Sequence, residues 1–359
     1  MDFFYDPDIE IAQRNRGCLR LGCWTIRLPR LLGFCGGVVN AVRTVQRTIT
    51  ENPGRRIWLM GEIIHNHTVN DYFRNRGVIV LDNDELRDSL GRMANDDIVV
   101  IPAFGLEFEL DAQLRRMACD IKIVDTTCPK VKHIWALLEQ DAAKGKTVVI
   151  HGKPSHPETR ATLSRALLSG RAVIMVPDIS HAELLAASIS HGAIGRQYPA
   201  GLIAHPKRIF PSNLVLVNQT TMLYEETREI EVILRNAVEK CNGTLLSSET
   251  VCSATQHRQD AAREVCASRC DMILVVGGFS SSNTTQLYRV ACQAAPTFFI
   301  GDAGAMGLDV IRHYRPAADV VVETRDWLPP PGSTIGLLAG ASCPASDVGN
   351  VIRRLRDLV

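Results

Sequence analysis

Ile121-Lys122-Ile123-Val124-Asp125-Thr126-Thr127-Cys128-Pro129 is the stretch that decides the fold. A short β-branched run, Ile121–Val124, ends in a polar turn, and the turn runs into a helical stretch at Lys132–Ala143. The next apolar run, Lys146–Ile150, ends in His151-Gly152-Lys153-Pro154-Ser155-His156-Pro157-Glu158. Near-continuous apolar runs of this length suit parallel strands buried on both faces. Strand and helix in alternation mean α/β units.

The same pattern occurs on both sides of it. Further strands are expected at Arg56–Met60, Gly77–Leu81, Ile98–Pro102, Ala172–Val176, Leu214–Val217, Met272–Val276, Thr297–Ile300 and Thr334–Leu338, with helices at Asn40–Thr50 and Thr227–Lys240. A cysteine stands in a turn before a helix at Gly33-Phe34-Cys35-Gly36-Gly37 and again at Thr250-Val251-Cys252-Ser253, as it does at Cys128. Roughly 25 residues after each cysteine, about one βαβ unit, a strand ends in a polar cluster. These clusters are Glu62-Ile63-Ile64-His65-Asn66, the run to Glu158, and Gly277-Gly278-Phe279-Ser280-Ser281-Ser282-Asn283. Further strands end in Ala103-Phe104-Gly105, in Gln219-Thr220-Thr221 and in Ala339-Gly340-Ala341-Ser342. The reading is three similar α/β domains with mostly parallel sheets in a pseudo-threefold arrangement. The expected boundaries are 1–31 for an N-terminal extension, then 32–127, 128–251 and 252–359, the last with a C-terminal helix. Residues 188–213, rich in Gly, Pro and His, read as a surface loop or insertion.

Composition narrows the chemistry. The chain has 359 residues, 46% hydrophobic and 22% charged, with a formal net charge of +1. That describes a globular protein with no global field for nucleic acid or an acidic membrane. An anionic substrate therefore needs a local pocket. No signal-peptide pattern and no long apolar run is seen, so a cytoplasmic setting is expected. The 11 cysteines do not suggest a secreted disulfide framework. Cys266 and Cys270, and likewise Cys18 and Cys23, read as ordinary thiols.

Ligands of open α/β sheets bind beyond the carboxyl ends of strands, so three such domains facing one another would collect Cys35, Cys128 and Cys252 with a ring of polar groups. Three thiolates are one short of a closed cubane and favour iron–sulfur or zinc; their placement by chance is the competing reading. His65, His156, Ser281, Ser282, Asn283 and Ser342 are short donors suited to phosphate oxygens. A satisfied structural histidine and a helix N-cap are the ordinary readings of the same positions. Glu158 is a candidate proton donor or an exposed acid in a helix's first turn. Thr220 and Thr221 alone would read as an N-cap.

Taken together and in order, Gly-Phe-Cys at Cys35, Glu-Ile-Ile-His-Asn at His65, Asp-Thr-Thr-Cys-Pro at Cys128, Ser-His-Pro-Glu at His156, Asn-Gln-Thr-Thr at Thr220, Cys-x-Ala-Thr-x-x-Arg-Gln at Cys252, Ser-Ser-Asn at Asn283 and Ala-Gly-Ala-Ser at Ser342 resemble the 4-hydroxy-3-methylbut-2-enyl diphosphate reductases. The likeness runs from about Leu32 to the C-terminus and is closest to the plant and cyanobacterial branch. It implies an oxidoreductase of isoprenoid biosynthesis, acting at the last step of the methylerythritol phosphate pathway. It also implies a metal-binding centre, a 4Fe-4S cluster held by Cys35, Cys128 and Cys252 with one open iron that takes the substrate hydroxyl. His65, His156, Ser281, Ser282, Asn283 and Ser342 would match the family's substrate contacts. Glu158 and Thr220 would match its proton-relay pair. Two electrons, from an external donor such as ferredoxin or flavodoxin, and two protons would remove water and give isopentenyl diphosphate and dimethylallyl diphosphate. An iron–sulfur hydro-lyase acting on a small anionic metabolite is the alternative, and it would need no electrons; a non-catalytic cluster sensor is a third class. Phe104 departs from the Ala-His-Gly of many bacterial members. It follows the plant and cyanobacterial branch and leaves the diphosphate set one donor short, with Lys153 the candidate to compensate.

Overall fold

Three sheets carry the chain in a computed structural model that describes residues 2–117, 121–140, 146–192 and 194–358. Every strand expected from the apolar runs forms, within a residue or two at each end. The helix expected over Lys132–Ala143 spans Pro129–Gln140, and residues 141–143 lie outside the described ones.

Two compact units are defined, and each is described by itself. One comprises Asn40–Ile63 and Tyr72–Cys252. It holds a four-stranded, all-parallel sheet in the order Val78–Val80, Ile57–Leu59, Ile98–Ile101, Lys122–Asp125. It also holds a five-stranded sheet in the order Thr244–Ser247, Asn213–Asn218, Thr147–His151, Val173–Val176, Ile203–Ala204, of which only the last pairing is antiparallel. Val149, Ile174, Leu214 and Leu216 face helices Ile179–Ser190 and Tyr224–Lys240 on one side of that sheet. Val148, Ile150, Val173 and Val217 face helices Pro129–Gln140 and Pro157–Leu167 on the other. Burial on both faces explains why these strands read as unbroken apolar runs.

The other unit comprises Met1–Val39, Ile64–Asp71 and Ser253–Val359. Its seven-stranded sheet runs Cys18–Leu21, Trp24–Arg27, Thr334–Ala339, Met272–Val276, Thr297–Ile300, Val310–Arg315, Val320–Arg325. The four central strands are parallel, and an antiparallel partner closes each end. Residues 1–31, read as an extension, thus supply two strands and the helix Pro7–Arg14 to this sheet's core. Asp6 caps that helix and pairs with Arg353 of the C-terminal helix Ala345–Asp357 at 2.9 Å.

The segment 188–213 is not the plain loop its composition suggests. A helix covers Ile194–Gln197, and Ile203–Ala204 pairs with Val173–Val176. The buried Tyr198 donates its hydroxyl to the Met175 carbonyl at 2.6 Å. Two apolar anchors, Ile194 and Tyr198, hold a segment whose average polarity hides them. No helix among the described residues is long and apolar enough to cross a membrane.

Candidate active site

Each sheet reverses its winding at one point, and the polar clusters follow the strands beside that point. In the five-stranded sheet the neighbours are Thr147–His151 and Asn213–Asn218, whose connections leave in opposite directions. In the four-stranded sheet they are Ile57–Leu59 and Ile98–Ile101, and in the seven-stranded sheet Met272–Val276 and Thr334–Ala339. Crevices at the carboxyl ends of such strands are where doubly wound sheets bind ligands.

In the larger unit the switch point carries Glu158 and Thr220. His156 caps the helix Pro157–Leu167, its Nδ1 accepting the Glu158 backbone N–H at 3.2 Å. A neutral His156 therefore carries its proton on Nε2 and presents a donor there. The Phe104 ring packs edge-on against His156 with centroids 5.4 Å apart, so the side chain that breaks the bacterial motif forms a wall of the histidine's site. Glu158 is only 2% exposed, which corrects the reading of it as an exposed acid. Its carboxylate accepts the Thr220 N–H at 2.6 Å and the Thr220 hydroxyl at 2.8 Å. Burial pushes the Glu158 carboxyl up to about 7, against the two Thr220 donors, which favour its charged form. Thr220 is not an N-cap, since the next helix starts at Tyr224. Its carbonyl instead accepts the backbone N–H of Cys252 at 3.0 Å. Gln219, which sequence reasoning passed over, ties these loops together. Its Oε1 accepts the Lys153 N–H at 3.0 Å and the Thr159 hydroxyl at 3.2 Å, while its Nε2 donates to Thr221 at 2.7 Å. Only its place between two motif residues could have flagged it.

The Cys128 turn is fixed by backbone bonds. The Cys128 N–H donates to the Ala103 carbonyl at 2.9 Å, and Cys128 in turn accepts from Val131 at the head of its helix. Pro129 at the first helical position gives up no needed donor.

The smaller unit holds Cys35, His65, Ser281, Ser282, Asn283 and Ser342. Ser281 caps the helix Ser282–Ala291, accepting the Thr284 N–H at 3.3 Å. Ser342 Oγ donates to the His65 carbonyl at 3.2 Å and lies 3.3 Å from Ser281 Oγ. Asn283 Oδ1 accepts the Ala341 N–H at 2.9 Å, and the Cys35 N–H donates to the Ala341 carbonyl at 3.2 Å. A Cβ at Gly278 would lie 2.3 Å from the His65 carbonyl oxygen, so only glycine fits against that segment. Ser282 Oγ and Asn283 Nδ2 are buried with no hydrogen-bond partner among the described residues. Two donors idle at a helix N-terminus suit an anion.

Comparison with known proteins identifies the family. The sequence model of the family described as LytB protein matches residues 26–356. The chain belongs to the LytB family. It is 36% identical to a 4-hydroxy-3-methylbut-2-enyl diphosphate reductase of Gloeobacter violaceus, over 98% of this chain and 87% of that one. It is 35% identical to the reductase of the same name from Synechococcus, over 99% and 91%. Its fold is similar to that of the solved E-1-hydroxy-2-methyl-but-2-enyl-4-diphosphate reductase from Plasmodium falciparum, with a TM-score of 0.68 at 20% identity, over 91% of this chain and 86% of that one.

The LytB family implies an iron–sulfur cluster, and the donor set fits one. Cys35, Cys128 and Cys252 are half-buried thiols outside any disulfide, each immediately preceding a helix. Cys35 lies in the smaller unit, Cys128 and Cys252 in the larger. Among the described residues no three His, Cys, Asp or Glu side chains converge as ligands of a single ion. A cubane takes one thiolate per iron, so its ligands need not converge in that way. Cys343 is fully buried in the apolar core with Trp24, Val348 and Val351, and burial holds its thiol well above the usual range. Burial likewise raises Cys266 and Cys270. None of these three is disposed to be a thiolate.

Proposed function

We propose that this chain reduces (E)-4-hydroxy-3-methylbut-2-enyl diphosphate to isopentenyl and dimethylallyl diphosphate, as the last step of the methylerythritol phosphate pathway. The observation that carries the reading is the buried Glu158 carboxyl, held by both donors of Thr220 beside the Cys252 turn.

Each of the thirds 32–127, 128–251 and 252–359 brings one cysteine, and Cys35, Cys128 and Cys252 would hold a 4Fe-4S cluster with one iron free of protein ligands. When bound, that group supplies two electrons, drawn from a donor such as ferredoxin or flavodoxin, and a Lewis-acidic iron. The rest of the work belongs to the chain. Ser281, Ser282, Asn283, Ser342, His65 and His156 bind and orient the diphosphate; the idle Ser282 hydroxyl and Asn283 amide supply donors that need no rearrangement. Glu158 delivers a proton to the departing hydroxyl oxygen, which leaves as water, and the Thr220 hydroxyl relays its replacement. With two electrons and two protons consumed, the C–O bond is replaced by one new C–H bond, at the former alcohol carbon in dimethylallyl diphosphate or at the other end of the allyl unit, with the double bond shifted, in isopentenyl diphosphate, and one water is released. A cytoplasmic setting and a soluble electron donor fit this reading.

The test is anaerobic reconstitution with iron and sulfide, then turnover with a chemical reductant. Formation of both isopentenyl and dimethylallyl diphosphate, strictly dependent on reductant, is expected. Consumption of substrate without reductant would return the chain to the hydro-lyase class. A fully loaded protein inert with reductant would overturn the reading.

A further inference from the structure

We infer that Asp125 is the positioning residue for Cys128, and that it acts as the end of a charged relay running from the helix that carries Glu158. The inference rests on the cluster reading above.

Asp125 ends the strand Lys122–Asp125, three residues before the cysteine. Its Oδ1 accepts the Thr127 backbone N–H at 2.9 Å, closing the turn just ahead of Cys128. Its Oδ2 receives Lys132 Nζ at 2.8 Å, one helical turn beyond the cysteine. One carboxylate thus grips the chain on both sides of the sulfur. Arg115 lies 3.5 Å from the same Oδ2 and donates from Nε to Asp111 Oδ1 at 2.9 Å. Asp111 Oδ2 accepts Arg165 at 2.9 Å. Arg165 belongs to the helix Pro157–Leu167, whose first turn holds Glu158. The Arg165 guanidinium is buried, stacks on the Trp135 ring at 3.6 Å, and caps the Leu106 carbonyl at 2.9 Å. These side chains line a cleft of about 310 Å³.

Two facts make this more than a surface ion-pair network. Arg165 and Asp111 are buried, so their pairing is screened little by solvent. Asp125 spends its Oδ1 on a backbone N–H of the cysteine turn rather than on a second cation. A carboxylate bonded in that way fixes main-chain position, as outer-shell partners do at metal centres. Without it Thr127 loses its acceptor and Lys132 its anchor; the bonds that remain hold the turn at Thr126, whose N–H and hydroxyl donate to the Ile101 carbonyl at 3.1 and 2.6 Å, and at the Cys128 N–H to Ala103, and none of them replaces the grip on Thr127 and on the helix beyond the cysteine.

The experiment compares reconstituted parent, Asp125→Ala, Asp125→Asn and Lys132→Met. Iron release to an excess of ferrous chelator is timed, and the cysteines that become open to alkylation are mapped by mass spectrometry. Loss of an outer-shell partner typically costs about 10–100-fold in metal affinity, so Asp125→Ala should release iron about 10–100-fold faster, with Cys128 alkylated before Cys35 and Cys252. Asp125→Asn keeps an acceptor for Thr127 and loses the cation pairs, so it should fall between Asp125→Ala and the parent. Lys132→Met, at a half-exposed side chain, tests the grip with little risk to folding and should also open Cys128 first. Release from all variants within about threefold of the parent, well below the outer-shell range, overturns the inference, as does equal alkylation of the three cysteines. A parent that takes up no iron overturns the cluster reading itself.

Discussion

Replacing Glu158 by glutamine should slow the enzyme and stabilise it at once. The carboxyl is fully enclosed, and its rise from 4.5 to about 7 corresponds to about 3 kcal/mol between its two protonation states. The sign follows from linkage. Between pH 4.5 and about 7 the unfolded chain has released this proton while the folded chain still holds it. The unfolded state then binds fewer protons, so stability falls as pH rises across that window and levels off above it. Glutamine has no proton to lose. Its amide also fits the site, Oε1 accepting the Thr220 N–H and Nε2 donating to a turned Thr220 hydroxyl. Glu158→Gln should therefore abolish this fall and leave the variant up to about 3 kcal/mol more stable than the parent at pH 8, with little difference at pH 4.5. The same change removes a general acid that is half protonated near neutrality, a contribution of about 10²–10⁴ in rate. Single-turnover rates under anaerobic conditions should show that loss with substrate still bound. Urea unfolding of the metal-free protein from pH 4.5 to 8 measures the other half. A variant within about threefold of the parent rate, far short of the general-acid range, refutes the catalytic role. A parallel pH slope of stability in both proteins refutes the raised carboxyl on which the argument stands.

Thr220→Val keeps the backbone donor to Glu158 and removes the hydroxyl one. Losing a donor to the charged form raises the carboxyl further, so the alkaline limb of the kcat/KM profile should move to higher pH, read from turnover across pH 6 to 9. Ser282→Ala deletes a buried hydroxyl with no partner among the described residues; the substrate-free protein should lose no thermal stability, while KM rises about tenfold or more, the value of a hydrogen bond to a charged group. Cys343→Ala and Cys266→Ser should each retain iron and most of the activity, whereas alanine at Cys35, Cys128 or Cys252 should bleach or convert the visible absorption of the reconstituted protein.

Apolar runs betrayed the parallel core because Val148–Ile150 and Ile273–Val276 are buried on both faces and tolerate no polar residue. The strands that escaped notice are those with a wet face. Val310–Arg315 sets buried Ile311 and His313 on either side of exposed Arg312, and Val320–Arg325 leaves Val320 and Val321 to solvent. Such strands look like loop by hydropathy, and they exist because a neighbouring strand pairs with them. Residues 18–27 form a hairpin for the same reason, placed by the parallel contact of Trp24–Arg27 with Thr334–Ala339. At the site, motif order exposed which residues to inspect but not their environments. Glu158 is buried by Thr220, 62 positions along the chain, and a first-turn helix acid carries no local mark of that. Gln219 and Asp125 act through side-chain bonds to main-chain groups, which spacing alone does not announce.

Three features of the candidate site share one property: they oppose the stability of the ligand-free protein. A buried carboxyl held near neutrality, and a buried serine hydroxyl and asparagine amide without a partner among the described residues, each cost free energy that a simpler core would not. Departures from local consistency of this kind gather where a ligand completes the structure. Ser282 and Asn283 stand on the same helix N-terminus, so one anionic group satisfies both and meets the positive end of the helix dipole. Glu158 is different, because an anion nearby would raise its carboxyl further rather than relieve it. Each cluster therefore selects its own chemistry: the helix N-terminus at Ser282 and Asn283 suits an anion, and the Glu158–Thr220 pair suits an uncharged hydroxyl. A neutral hydroxyl beside Glu158 leaves the carboxyl able to give up its proton near neutrality, whereas a further anionic group there would hold the proton on it.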